Sequence, residues 1–300
     1  MKLYRSIAVG VSPMSGTDSL SEGSRRAAEQ ARWLAERTGA SLALVHSTWS
    51  EQVDQDEETT VASPAFAASV EALANECSKT GISTKIHYSL DRPWLALTKR
   101  ALASESDLVI VGKHDESMPR GLGINTVNLL RNCPAPVWVV DPHTDRLGKC
   151  ILAATDLSPV GERVTQMAAY LALESASELH IVHAWQRGMA DQLHRDLESD
   201  EEAAVRISAK ESEICERILA GLKDTEERLQ PKLHIGCTSP QLAIEEGLEV
   251  LRPELVVMGT LSRTGISGLL IGNTAERLVG SIPCSLLTIK PADFVSPVAD

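Results

Sequence analysis

The chain contains itself twice, and that repeat restricts its possible folds more than any other feature. Adding 147 to a position carries His87 to His234, Pro93 to Pro240, Leu108-Val109 to Leu255-Val256 and Gly112 to Gly259. Nearer the start of each half the offset drifts: Val45-His46-Ser47-Thr48-Trp49 answers Val182-His183-Ala184-Trp185, and Ser6-Ile7-Ala8-Val9 answers Cys150-Ile151-Leu152-Ala153. An internal duplication with loop insertions accounts for this pattern. Each copy is roughly 145 residues, the size of one ordinary domain. The expected domains are residues 1–144 and 147–293, with a short polar link near His143 to Gly148.

Within each copy, short apolar runs alternate with stretches of helical period. Strands are expected near 4–11, 42–48, 83–89, 107–112 and 136–141, and again near 150–155, 178–184, 231–236, 254–259 and 285–290. Between the first two, Leu20 to Arg37 places Ala27, Ala31, Leu34 and Ala35 on one helical stripe. Such alternation predicts an α/β chain of two tandem doubly wound domains, each a five-stranded parallel sheet flanked by helices. Ligands of such sheets bind outside the carboxyl ends of the strands, where the strand order reverses.

Two segments fall at such ends. Leu255-Val256-Val257-Met258 runs into Gly259 and a glycine-rich loop that closes on Gly272-Asn273-Thr274-Ala275-Glu276. Gly259 lets backbone come close to a ligand, Asn273 suits a helix N-cap, and Glu276 completes a capping box, so free N–H groups and the helix dipole would face an anion. The alternative is a helix that starts after a flexible connection. In the second segment, Ile151-Leu152-Ala153-Ala154-Thr155 ends in Asp156-Leu157-Ser158-Pro159, where Ser158 can cap and Pro159 can open a helix. Asp156 is placed either to bond a base or ribose hydroxyl or simply to form a turn.

These residues resemble a universal stress protein domain of the UspA superfamily: the Thr155-Asp156-Leu157-Ser158-Pro159 strand end, the Val182-His183 strand end and the loop from Gly259 to Glu276. The whole chain resembles a tandem member, nearest to the E type in Arg263-Thr264-Gly265 and Gly272-Asn273-Thr274-Ala275-Glu276. Nucleotide-binding members of this family carry Gly, two residues, Gly, nine residues, then Gly with Ser or Thr. Here Ser262 replaces the middle glycine and Asn273 the hydroxyl residue. The resemblance implies ATP or a related adenine nucleotide as ligand and leaves Mg²⁺ open. It places Asp156 beside the adenosine, the Val182 backbone at the adenine edge, and Gly259, Gly272, Asn273 and Thr274 around ribose and phosphates, with Arg263 adding charge. Thr155, Met258 and Ser262 complete the expected set. It also implies an intramolecular pseudo-dimer, with Val137-Trp138-Val139-Val140 meeting Leu286-Leu287-Thr288-Ile289, and allows a homodimer of tandem chains.

The first copy departs further from that pattern. Its strand Ile7-Ala8-Val9-Gly10-Val11-Ser12-Pro13 has no acid where Asp156 stands, and its loop sets Asp115 opposite Ser262 and Ile124 opposite Gly272. A carboxylate repels phosphate and a β-branched residue crowds the backbone that must approach it. The first domain is therefore expected to be nucleotide-free, with a structural or ligand-modulating role; a small polar site of Lys113, His114 and Asp115 is the alternative. His46 and His183 follow apolar strands and read as hydrogen-bonded, half-buried residues. His234-Ile235-Gly236-Cys237 resembles the signature of nucleotidyl-transferring relatives of this architecture, but it follows the third strand instead of the first.

Composition excludes several classes. Forty-one acidic against 29 basic residues give a formal charge of −12, which argues against electrostatic nucleic-acid binding. The six cysteines lack Cys-x-x-Cys spacing and mostly lie in apolar runs, as expected of free thiols in a reducing cytoplasm. No signal peptide, membrane span or paired-histidine metal motif is read. Three functions follow: a nucleotide-binding stress-response sensor or regulator; a slow ATP hydrolase, for which no base or metal carboxylate beyond Asp156 is seen; and a scaffold or carrier whose pockets hold an apolar or lipid-like ligand.

Overall fold

A computed structural model describes residues 4–49, 62–104, 106–113, 122–144, 147–186, 199–222, 225–260 and 278–298. The first repeat supplies β1 (Ser6–Gly10), α1 (Glu22–Thr38), β2 (Ser41–Ser47), α2 (Pro64–Lys79), β3 (Thr84–Ser89), α3 (Pro93–Ser104), β4 (Leu108–Gly112), α4 (Ile124–Asn132) and β5 (Val137–Val140). The second supplies β6 (Cys150–Ala154), α5 (Pro159–Ser175), β7 (Glu178–Trp185), α6 (Asp200–Ala220), α7 (Glu226–Leu229), β8 (Lys232–Cys237), α8 (Pro240–Leu251), β9 (Leu255–Gly259) and β10 (Ser285–Ile289). All ten strands form where apolar runs predict them, and the chain is α/β with a mostly parallel sheet flanked by helices.

Two compact units can be distinguished, Met1–Thr144 with Thr260–Asp300, and Asp145–Gly259. In the first, β1 lies between β2 and β4, β3 pairs outside β2, and β5 outside β4, all parallel. β10 then joins antiparallel to β5, setting Leu286 against Val139, Leu287 against Trp138 and Thr288 against Val137. The expected meeting of these two runs is therefore a strand pair. In the second unit, β6 lies between β7 and β9, and β8 pairs outside β7, again parallel.

The inner strands of both units read as near-continuous apolar runs because helices cover their faces, whereas β3 and β8 mix polar and apolar residues and are only partly buried. The α1 stripe of Ala27, Ala31, Leu34 and Ala35 is buried, Ser21 caps its start, and Gly39 ends it at φ 70°. Small residues let helix and strand ends touch: a Cβ on Gly112 would come within 2.3–2.5 Å of the Gly23 backbone. The duplication extends to the chemistry of the strand ends. Asp107 Oδ2 accepts the Ser6 amide at 3.1 Å, and Glu254 Oε2, 147 residues on, accepts those of Lys149 and Cys150 at 3.0 Å. At the opposite strand ends, His46 Nδ1 bonds the Val11 carbonyl at 3.0 Å and His183 Nδ1 that of Thr155 at 2.8 Å. Both histidines are buried and hold carbonyls in place, as their position after an apolar strand predicts.

Candidate functional site

In the second repeat the carboxyl ends of three neighbouring strands converge around β6. Ala154 is in register with Val182 on one side and Met258 on the other, so Thr155, Val182, Met258 and Gly259 occupy adjacent strand ends. The Thr155 amide donates to the Val182 carbonyl at 3.1 Å. Asp156 follows, exposed, at the mouth of the turn into α5.

That turn is built from local side chains. Ser158 caps α5 by accepting the Gly161 amide at 3.1 Å, and Pro159 opens the first turn. Asp156 Oδ1 accepts the Ser158 amide at 2.9 Å and the Ser158 hydroxyl, and Thr155 Oγ1 accepts the Leu157 amide at 3.1 Å. The two bonds to the Leu157 and Ser158 amides hold Leu157 at φ 59°, a left-handed conformation costing roughly 1–2 kcal/mol for a non-glycine residue. In the first repeat this position is Pro13, whose ring forbids that geometry. Gly161 is required by close approach, since a Cβ there would lie 2.5 Å from Thr155 Oγ1 and 2.7 Å from Asp156 Oδ1. Asp156 thus makes the turn, one of the two roles read for it, while remaining exposed.

Arg217, on α6, reaches the same turn: its guanidinium donates to the Leu157 carbonyl at 2.8 Å and stands 4.0 Å from Glu162. Sequence reasoning did not single it out, because the contact joins residues 60 positions apart with no local signal. Of the other expected residues, Ser262, Arg263, Gly272, Asn273 and Thr274 lie outside the described residues.

The first repeat shows a different character at the equivalent strand ends. A cavity of about 430 Å³ opens there, walled by Val45, Trp94, Leu97 and Val111 and floored by serines. Ser12 stands where Asp156 stands in the other copy, and Ser12, Ser21 and Ser24 bond one another, so a neutral hydroxyl cluster replaces the carboxylate. Lys113 is already engaged, its ammonium donating to Asp141 at 2.9 Å and to the Ile282 carbonyl at 2.7 Å. His114 and Asp115 of the alternative polar site lie outside the described residues. Among the described residues no group of three or more His, Cys, Asp or Glu side chains could hold a metal, and no helix is long and apolar enough to cross a membrane.

Comparison with known proteins agrees with this architecture. Universal stress protein E of Escherichia coli is 28% identical over 221 residues, covering 69% of this chain and 68% of its own. The Salmonella typhi protein of that name is 27% identical over the same length and shares. Among solved structures, a functionally unknown protein of Pseudomonas aeruginosa superposes with a TM-score of 0.73 at 24% identity, covering 97% of this chain and 94% of its own. A universal stress protein of Archaeoglobus fulgidus gives 0.65 at 17% identity, covering 95% and 98%. The model of the universal stress protein family matches twice, over residues 4–141 and 149–290. With both halves matched, the chain belongs to the universal stress protein family.

Proposed function

We propose that the protein acts in stress response by binding ATP or a related adenine nucleotide in its second domain, as a sensor or regulator. The observation that carries this reading is the convergence of Thr155, Asp156, Val182, Met258 and Gly259 on adjacent strand ends. An exposed carboxylate at the end of a buried parallel strand suits a ribose hydroxyl pair, and the neighbouring carboxyl ends suit the edge of a base. These residues fit the nucleoside half of the ligand. The phosphates would rest on the loop carrying Ser262, Arg263, Gly272, Asn273 and Thr274, whose sequence predicts glycine backbone followed by a helix start, a combination that favours anions.

The domains proposed are residues 1–144 and 147–293, the first without nucleotide. Its serine-floored strand ends and its engaged Lys113 offer no unsatisfied cation to a phosphate. Free cysteines, four of them buried, support a reducing compartment. Titration calorimetry of the full chain with ATP, ADP and AMP, with and without Mg²⁺, tests the reading. One nucleotide per chain, lost in Asp156→Ala and in Gly272→Val, is expected. Affinity unchanged in both variants would overturn the site assignment.

A further inference from the structure

The two repeats differ on the sheet face beneath α3 and α8. These helices have the same length and both open on proline, so Arg100 of α3 corresponds to Gly247 of α8. In the first repeat that position carries a long cationic side chain, and His87 is held below the ordinary histidine range by burial and by the Arg100 and Lys85 charges. In the second repeat no side chain occupies the position. A groove of about 380 Å³ opens instead, walled by Leu152, Val182, His234, Ala243, Glu246 and Val250. A Cβ on Gly247 would sit 3.0 Å from Leu152 Cδ2, so the glycine keeps the floor clear. Val250, 78% exposed, leaves an apolar rim at the mouth.

One wall is chemically polarised. Glu178 Oε2 receives Lys232 Nζ at 2.8 Å and faces His180 Nε2 at 3.3 Å, and the ionised carboxylate can only accept, so that ring nitrogen carries the proton. In the tautomer that this contact selects, His180 Nδ1 accepts from His234 Nε2 at 2.9 Å. Burial, with the neighbouring His180 and Lys232, keeps His234 below the ordinary range, so the ring is neutral at pH 8. Its remaining nitrogen, Nδ1, is therefore an acceptor. The groove thus has an apolar floor and, among its lining residues, two that can accept hydrogen bonds, His234 and Glu246. A metal ion would need a third ligand, and no such cluster exists among the described residues.

We propose that this groove, which lies beneath α8 and shares Val182 with the strand ends around β6, is a second small-molecule site for a primary ammonium carried on an apolar or aromatic body. The ammonium is recognised by His234 and Glu246, and the body lies over Leu152 and beneath Val250. Small-molecule sites have this composition: mostly apolar walls with a few placed polar groups.

The test is titration of the full chain at pH 8 with tryptamine and phenethylamine, and with indole-3-acetate and 3-phenylpropionate as anions of matched shape. The imidazole resonances of His180 and His234 are followed by NMR. Both amines are expected to bind saturably and to move the His234 signals, and neither anion to bind. Glu246→Gln, an exposed change that leaves the helix intact, is expected to weaken amine binding roughly two- to fivefold. Gly247→Arg, which fills the groove, is expected to abolish it, with circular dichroism confirming the fold. Equal binding of amines and anions, no saturation by about 10 mM, or amine affinity unchanged in Glu246→Gln would each overturn the proposal.

Discussion

Lys290, directly after β10, permits a quantitative test of how the end of the chain is held to the first repeat. Its side chain is only 4% exposed, and its ammonium donates to the Leu130 and Cys133 carbonyls at 2.6 Å while lying 4.5 Å from the Phe294 ring centroid. Those carbonyls lie at the C-terminal end of α4, where backbone acceptors lack helical partners and a cation is favoured. Burial nevertheless pushes the lysine pKa down from 10.5 to about 8. Between those values the unfolded chain holds more protons than the folded one, so this group raises stability as pH rises. From pH ~7 to pH ~9 the gain is about 1 kcal/mol. Buried thiols act in the opposite direction, Cys133 and Cys150 both being pushed up to about 11 mainly by burial. The informative quantity is therefore the stability difference between the native chain and Lys290→Met, in which the thiol contributions largely cancel. Urea unfolding at the two pH values is expected to move that difference by about 1 kcal/mol in favour of the native chain. A difference that stays constant, or moves toward the variant, would refute the linkage between Lys290 burial and stability.

Further expectations follow from other contacts. Burial is the chief cause holding His46, His87 and His234 below the ordinary histidine range, so the unfolded chain protonates first and stability should fall as pH drops from about 7.5 to about 5.5; urea midpoints that stay level or rise would contradict this. Gly112→Ala would drive a Cβ into the Gly23 backbone and is expected to cost about 1–3 kcal/mol or more. Gly161→Ala would press on Thr155 Oγ1, Asp156 Oδ1 and, at 3.0 Å, the Asp156 backbone nitrogen, so denaturant unfolding should likewise show a loss of about 1–3 kcal/mol. Ser158→Ala removes the α5 cap and should cost about 1 kcal/mol by the same measurement.

The fold was legible because buried parallel strands have to be continuous apolar runs, as in Leu108-Val109-Ile110-Val111 and Leu255-Val256-Val257-Met258, and because the duplication checks each assignment against its copy. The α5 start was equally legible, since Ser158 and Pro159 act through neighbours in sequence. The left-handed Leu157 was not: leucine carries no preference for that conformation, which two side-chain acceptors impose. Arg217 was hidden for a different reason, its contact depending on where a distant helix passes over the strand end. The groove beneath α8 could have been read from the repeat itself by setting Gly247 against Arg100, a missing side chain on an otherwise matching helix.

The pairing of β10 with β5 determines whether the halves of this gene can be separated. A chain ended after Thr144 would keep β1 to β5 but lose the strand that covers β5, opening an edge made of Val137, Trp138, Val139 and Val140, all buried in the full chain. An apolar edge of that kind is a template for another strand. Such a half would seek a second copy of itself or precipitate, so what duplication joined, truncation cannot return as two independent proteins.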